Sequence, residues 1–303
     1  MIILAICIGT LALSACSDNE EGSTTPKSDA GLDTDTDSDG GIDFLCNGPW
    51  VENGEPCKND MECNVGLLCN RSTNKCSPIQ GITLLDSYYP IGRIAETDDD
   101  YSEGLDFKDG NLWQSTPYKL FSLDVKNKEV DRSYPTPSIH GESLTWDQDT
   151  LYHVGFYNNN LYAGELIGDD FDFRIVGELT DTACAYGIVE HCGELFVTRC
   201  GDIVVDVYPT GTTALDRTFT VRDTNGDLVN DLEDLEIYRG ELWTSSYSQH
   251  PYTVFRVDLE SGTAILSYDI PDCQIIDGAA VDAKTRTMYI SGKNCPILVY
   301  QVE

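Results

Sequence analysis

The stretch "ESLTWDQDTLY", Glu142–Tyr152, is an apolar alternation, a polar turn and a second alternation ending in an aromatic. The same unit recurs as "EGLDFKDGNLW" (Glu103–Trp113), "YGIVEHCGELF" (Tyr186–Phe196), "EDLEIYRGELW" (Glu233–Trp243) and "DGAAVDAKTRTMY" (Asp277–Tyr289). Its aromatics, Trp113, Tyr152, Phe196, Trp243 and Tyr289, lie 39, 44, 47 and 46 residues apart. A period of about 40 to 50 residues with several strands per unit is the signature of a β-propeller, so five units predict an all-β fold of five blades over residues 80–303. No window carries a helical period.

Between the units, "YKLFSLDV", "NNLYAGEL", "DIVVDVY" and "YTVFRVDL" supply third strands, and "EVDRSYP", "FDFRIVGEL", "LDRTFTV" and "AILSYDI" supply outer ones. The last unit has "PILVYQVE" but nothing after it. The early stretch "ITLLDSYYP", residues 82–90, is free to pair there and close the ring, removing an edge a propeller cannot leave open.

The chain ahead of the propeller reads as three segments. Residues 1–16, "MIILAICIGTLALSAC", form an apolar run of signal-peptide length, shorter than the roughly 20 residues a spanning helix needs. Its end, "LSAC", resembles a lipobox, which makes Cys16 the expected lipidation site and the outer membrane or cell surface the expected location. Residues 17–44 carry nine acids, one lysine and few large apolar side chains, and read as a disordered acidic tether. Residues 45–79 hold five cysteines in too little chain for a core, so a disulfide-stapled module is expected. Its run "GEPCKNDMECNVGLLCNRSTNKC" resembles the Dickkopf-type cysteine-rich repeats of secreted proteins. The excess of 52 acids over 19 bases, a net charge of −33, excludes nucleic acid as a partner, because phosphates would be repelled.

Hairpin symmetry pairs the propeller's cysteines. Cys184 and Cys200 flank a turn centred on residue 192, and Cys273 and Cys295 one centred on 284, so each couple is expected to face across its hairpin. Cys192 and one module cysteine are then left over. A Cys46–Cys192 bond would fasten the module to the face opposite the strand starts.

Equivalent positions at the strand starts, Glu103, Glu142, Tyr186, Glu233 and Asp277, converge on the propeller axis. Four carboxylates in a confined place either hold a proton for chemistry or gather a cation or amine. A second ring, four residues past each aromatic, is Pro117, Phe156, Cys200, Tyr247 and Lys293. It offers an aromatic wall and one positive charge.

"YSEGLDFKDGNLW", "HGESLTW", "AYGI", "LEDLEIYRGELW" and "DGAAVDAKTRTMYISGK", in this order, resemble the glutamine cyclotransferase family, the plant and bacterial type of glutaminyl cyclase. The resemblance implies a five-bladed propeller that cyclises N-terminal glutamine to pyroglutamate with release of ammonia, without a metal or other cofactor. It places the proton-transfer carboxylate on Glu142 and a pocket lysine on Lys293. The family's aromatic pocket positions fall on Tyr101, His140, Phe156, Tyr186 and Tyr247. This chain departs from the pattern where Glu103, Glu233 and Asp277 replace amides, and where Phe156, Tyr186 and Tyr247 replace tryptophans.

The expected partner is therefore an N-terminal-Gln peptide or another amine-bearing ligand, met by a monomer that touches the membrane through its lipid alone. The alternative is a non-catalytic propeller that binds a cationic ligand, a protein partner or Ca²⁺, to which the acidic segment "DTNGDLVNDLED", Asp223–Asp234, could add oxygen ligands. A nucleophilic triad is not indicated. No GxSxG turn occurs, and His140, His153, His191 and His250 have no evident partners in sequence.

Overall fold

The computed structural model describes residues 52–92, 101–179, 184–248 and 250–303. The expected signal peptide and acidic tether, with Cys16 and Cys46, lie outside them. Apart from one short 3-10 turn, Asp60–Glu62, the regular structure among the described residues is all β.

A small two-stranded sheet, β1 (Leu67–Asn70) and β2 (Lys75–Pro78), is followed by β3 (Ile82–Tyr88). Blade one is β4 (Gly104–Lys108), β5 (Asn111–Ser115), β6 (Lys119–Asp124) and β7 (Glu129–Pro135). Blade two is β8 (Gly141–Asp147), β9 (Thr150–Gly155), β10 (Asn160–Ile167) and β11 (Asp170–Glu178). Blade three is β12 (Ala185–His191), β13 (Glu194–Arg199), β14 (Val204–Pro209) and β15 (Arg217–Thr220). Blade four is β16 (Leu232–Tyr238), β17 (Glu241–Ser246), β18 (His250–Asp258) and β19 (Ala264–Asp269). Blade five is β20 (Ile275–Asp282), β21 (Thr287–Lys293) and β22 (Cys295–Val302), completed by β3. The β3–β22 pairing is antiparallel and runs from Ile82 opposite Val302 to Tyr88 opposite Ile297, the closure the unpaired last unit requires.

The repeat aromatics explain why the blades stay together. Each sits on the second strand of its blade and is buried in a cluster shared with the next: Trp113 with Leu144, Tyr152 with Ile188, Phe196 with Leu235, Trp243 with Ile276 and Tyr289 with Leu105. Five apolar seams thus replace one central core. A flat aromatic fills the gap between two twisted sheets with much apolar area and few rotatable bonds.

The module is docked on the propeller rather than merely strung before it. Cys57 is bonded to Cys69 and Cys63 to Cys76. Three arginines from blades four and five reach its backbone. Arg239 donates to Leu67 O at 3.0 Å and to Cys63 O, Arg256 to Ile79 O at 3.0 Å, and Arg286 to Cys69 O at 2.7 Å. Arg286 also pairs with Asp60 at 2.6 Å, while Leu68 and Ile79 join the apolar seam between blades four and five. Arg239 and Arg286 stand on the hairpin turns, so the module covers the face opposite the strand starts.

Cys184 is bonded to Cys200 and Cys273 to Cys295, each across its hairpin. Cys192 is disulfide-bonded at the tip of the β12–β13 turn.

Candidate active site

The first strands of the blades approach the axis so closely that their side chains are rationed. A Cβ on Gly104 would lie 2.7 Å from Ser143 Cα, and one on Gly187 would lie 2.4 Å from Glu233 O. The corresponding positions in blades two, four and five are Ser143, Asp234 and Gly278. Asp234 is thus the one long side chain at this level. Its Oδ2 accepts the N–H of Leu105 at 3.0 Å and of Ala279 at 3.2 Å, and its Oδ1 accepts the Ser143 hydroxyl. One carboxylate therefore ties blade four to blades one, two and five and floors the pocket above it. Asp234 lies outside the ring positions that the repeat defines, although it breaks a run of small residues at equivalent positions.

One residue nearer the mouth, blades two to five each interrupt their ladder: between Gly141 and Leu144, Ala185 and Ile188, Leu232 and Leu235, and Ile276 and Gly278. Each bulge carries the ring residue, Glu142, Tyr186, Glu233 or Asp277, and turns it out of the strand alternation. Glu103 precedes β4 and completes the ring. All four acids are at least nine-tenths buried.

Confinement governs their ionisation. Burial, then the charges of Glu103, Glu233 and Asp277, push the Glu142 carboxyl well above the usual carboxylate range. Glu233 is raised by burial and by Asp277 and Glu103, and Asp277 by burial and by Glu103. Asp277 is partly relieved by Lys293, whose backbone N–H it accepts at 3.1 Å and whose charge it feels. The Lys293 ammonium lies 5.0 Å above the Tyr101 ring, which holds this cation beside the acids.

His140 enters from the loop before β8. Its Nε2 is 3.1 Å from Glu103 Oε1 and 3.7 Å from Glu142 Oε1. Phe156 stacks on Tyr186 with centroids 5.9 Å apart, and His140 lies against Phe156 and Tyr157 at 5.9 and 5.4 Å. Tyr186 is raised by burial and then by Glu233, so its hydroxyl stays protonated beside the acids. Tyr247 is half exposed at the rim rather than inside the wall. Tyr157 is an aromatic that the ring positions did not point to.

His153 is fully buried, with its imidazole driven down to about 3 by burial, and His191 is lowered for the same reason. The Asp223 carboxylate, in the segment considered for calcium, accepts the N–H groups of Asn225 at 2.8 Å and Asp227 at 2.9 Å, which is turn chemistry. Cys57, Cys63 and Cys76 cluster as metal ligands would, but all are in disulfides.

No curated protein sequence matches the chain. Among solved structures, the crystal structure of Myxococcus xanthus glutaminyl cyclase superposes with a TM-score of 0.60 at 18% identity, covering 73% of this chain and 97% of that one. At that identity the likeness is one of fold. The sequence model of the glutamine cyclotransferase family matches residues 86–303, which is the propeller with the last three residues of its closing strand. The chain belongs to the glutamine cyclotransferase family.

Proposed function

We propose that the chain is a glutaminyl-peptide cyclotransferase, closing N-terminal glutamine to pyroglutamate. The reading is carried by Glu142: a buried carboxyl, raised in pKa, at the mouth of a propeller whose family match spans the whole site. The amine nitrogen of the substrate attacks its own γ-carboxamide carbon, and the C–N bond to the leaving nitrogen breaks. Glu142 takes the proton from the amine and returns it to that nitrogen, which departs as ammonia. Lys293 offsets charge on the carboxamide oxygen, and Phe156 with Tyr186 holds the aliphatic stem.

The purified chain is given a Gln-initiated peptide with and without EDTA while ammonia is followed. Release abolished by Glu142→Gln and unaffected by EDTA supports the assignment. No release from any such peptide leaves a propeller that only binds.

The same proposal places the enzyme in the cell envelope, held by a lipid on Cys16. Incorporation of labelled fatty acid that is lost in Cys16→Ser would support this, and incorporation that persists would refute it.

A further inference from the structure

A track of aromatic rings leads out of the pocket over blades three, two and one. Tyr186 stacks on Phe156 at 5.9 Å, Phe156 meets Tyr157 at 4.9 Å, Tyr157 meets His140 at 5.4 Å, and His140 meets Tyr118 at 6.4 Å. All four separations lie in the range in which aromatic pairs attract. The track ends in the open: the His140 side chain is 19% exposed, Tyr118 is 38% exposed and Tyr157 is 65% exposed.

The support beneath these rings is ordered by the backbone. Tyr118 stands on the β5–β6 loop, His140 on the loop before β8, and Phe156 and Tyr157 on the β9–β10 loop. Hydrogen bonds lace the three together, from Gly141 N–H to Pro117 O at 2.9 Å, Thr136 N–H to Tyr118 O at 3.3 Å and Phe156 N–H to His140 O at 3.1 Å. A Cβ on Gly155 would lie 2.7 Å from His140 O, so two of the loops pack without room for a side chain between them. Exposed apolar residues scattered singly need no explanation, but rings joined into one surface at a pocket mark a place where something binds. A surface already held in shape also spares a ligand the cost of ordering it.

The pocket's chemistry names the occupant. The amine and the carbonyl of an N-terminal glutamine share one Cα, so the second residue departs beside whatever holds the amine, one Cα step of about 3.8 Å away. With the amine at Glu142, that step starts beside His140, whose Nε2 is 3.7 Å from Glu142 Oε1. We propose that Tyr118 and Tyr157 bind the side chain of the second residue of the substrate, so that the preferred substrates are peptides in which a large apolar or aromatic residue follows the glutamine. Naming the second residue rests on the cyclase reading; the apolar surface itself does not.

The test gives the purified chain the peptides Gln-Phe-Gly-Gly, Gln-Gly-Gly-Gly and Gln-Arg-Gly-Gly. Ammonia release supplies kcat and KM, and fluorescence anisotropy of the same peptides, dye-labelled at the C-terminus, supplies Kd. Phenylalanine should lower KM about tenfold relative to glycine at unchanged kcat, because the contact is remote from the reacting atoms and acts alike before and during the reaction. Tyr118→Ser and Tyr157→Ser should each cut that advantage to about threefold, and the double variant should abolish it. Tyr157→Phe should keep it, since the ring and not the hydroxyl makes the contact. Ile167→Ser should keep it too, because Ile167 is 63% exposed but stands at the far end of β10 from the β9–β10 loop.

Equal KM for phenylalanine and glycine, or an advantage that persists in the double variant, would overturn the surface while ammonia release left the cyclase reading standing. An equal gain from arginine would assign the preference to the chain's negative charge and overturn it as well. If no peptide releases ammonia, the cyclase reading fails and the anisotropy decides the surface: a phenylalanine preference in Kd that the double variant abolishes supports it, and equal Kd values overturn it.

Discussion

Asp234 Oδ2 accepts the backbone N–H of Leu105 at 3.0 Å, so blade four is bonded to blade one across the axis, not through the ring of neighbours between them. The bond is possible because Gly104, Gly187 and Gly278 leave the centre clear for a single side chain.

Asp234→Ala should therefore destabilise the propeller by about 2–4 kcal/mol, because it strands two buried N–H groups and a hydroxyl. Asp234→Asn keeps an acceptor and sheds a charge that burial disfavours, and should cost under about 1 kcal/mol. Urea unfolding of the two variants measures the difference.

The acids below the pocket set a pH dependence of stability. Burial raises Asp106 from 3.8 to about 6, and Glu236 and Asp234 are raised by burial as well. Between pH 3.8 and about 6 the folded chain holds more protons at Asp106 than the unfolded chain, so its contribution to stability falls as pH rises through that window. Calorimetric melting temperatures should decline from pH 4.5 to 7.5, and Asp106→Asn should flatten the decline.

Lys293→Met should lower kcat by about a hundredfold, the effect of losing one group that stabilises oxyanion charge. The fold should survive, because the Lys293 contact to Asp277 is made through its backbone. Steady-state ammonia release, with circular dichroism as the control, checks both statements.

The module should matter for stability and not for turnover. Arg286→Ala breaks a mostly buried pair with Asp60 and a bond to Cys69 O, at a cost of about 2–4 kcal/mol. It lies on the face opposite the pocket, so kcat and KM should remain those of the wild type. Unfolding curves and peptide kinetics on the same preparation test the pair of claims.

Much of this architecture was legible from periodicity. The five units were visible because each blade repeats one physical requirement, an aromatic on its second strand that fills a seam, and such requirements fix residue type at fixed spacing. The acidic ring was legible for the same reason: equivalent positions around an axis must meet. Asp234 was not, because its importance depends on how closely β4, β8, β12, β16 and β20 crowd the axis, which pattern alone does not report. The module's docking escaped sequence reading too. Arg239, Arg256 and Arg286 look like ordinary turn and strand cations until the backbone carbonyls they serve are brought to them from nearly 200 residues away.

The closing strand has a kinetic consequence. Ile82 finds its partner only at Val302, at the far end of the propeller sequence, so ring closure must await the whole of it, and loop closure over such a span is slow. The module's disulfides join residues 12 and 13 apart and can form within a local segment. Folding is therefore expected to run from a quickly stapled knot to a late circular seal. Until that seal forms, the inner strand of blade one and the outer edge of blade five stay open to wrong partners, which makes the last blade the stage at which this chain is most exposed to aggregation.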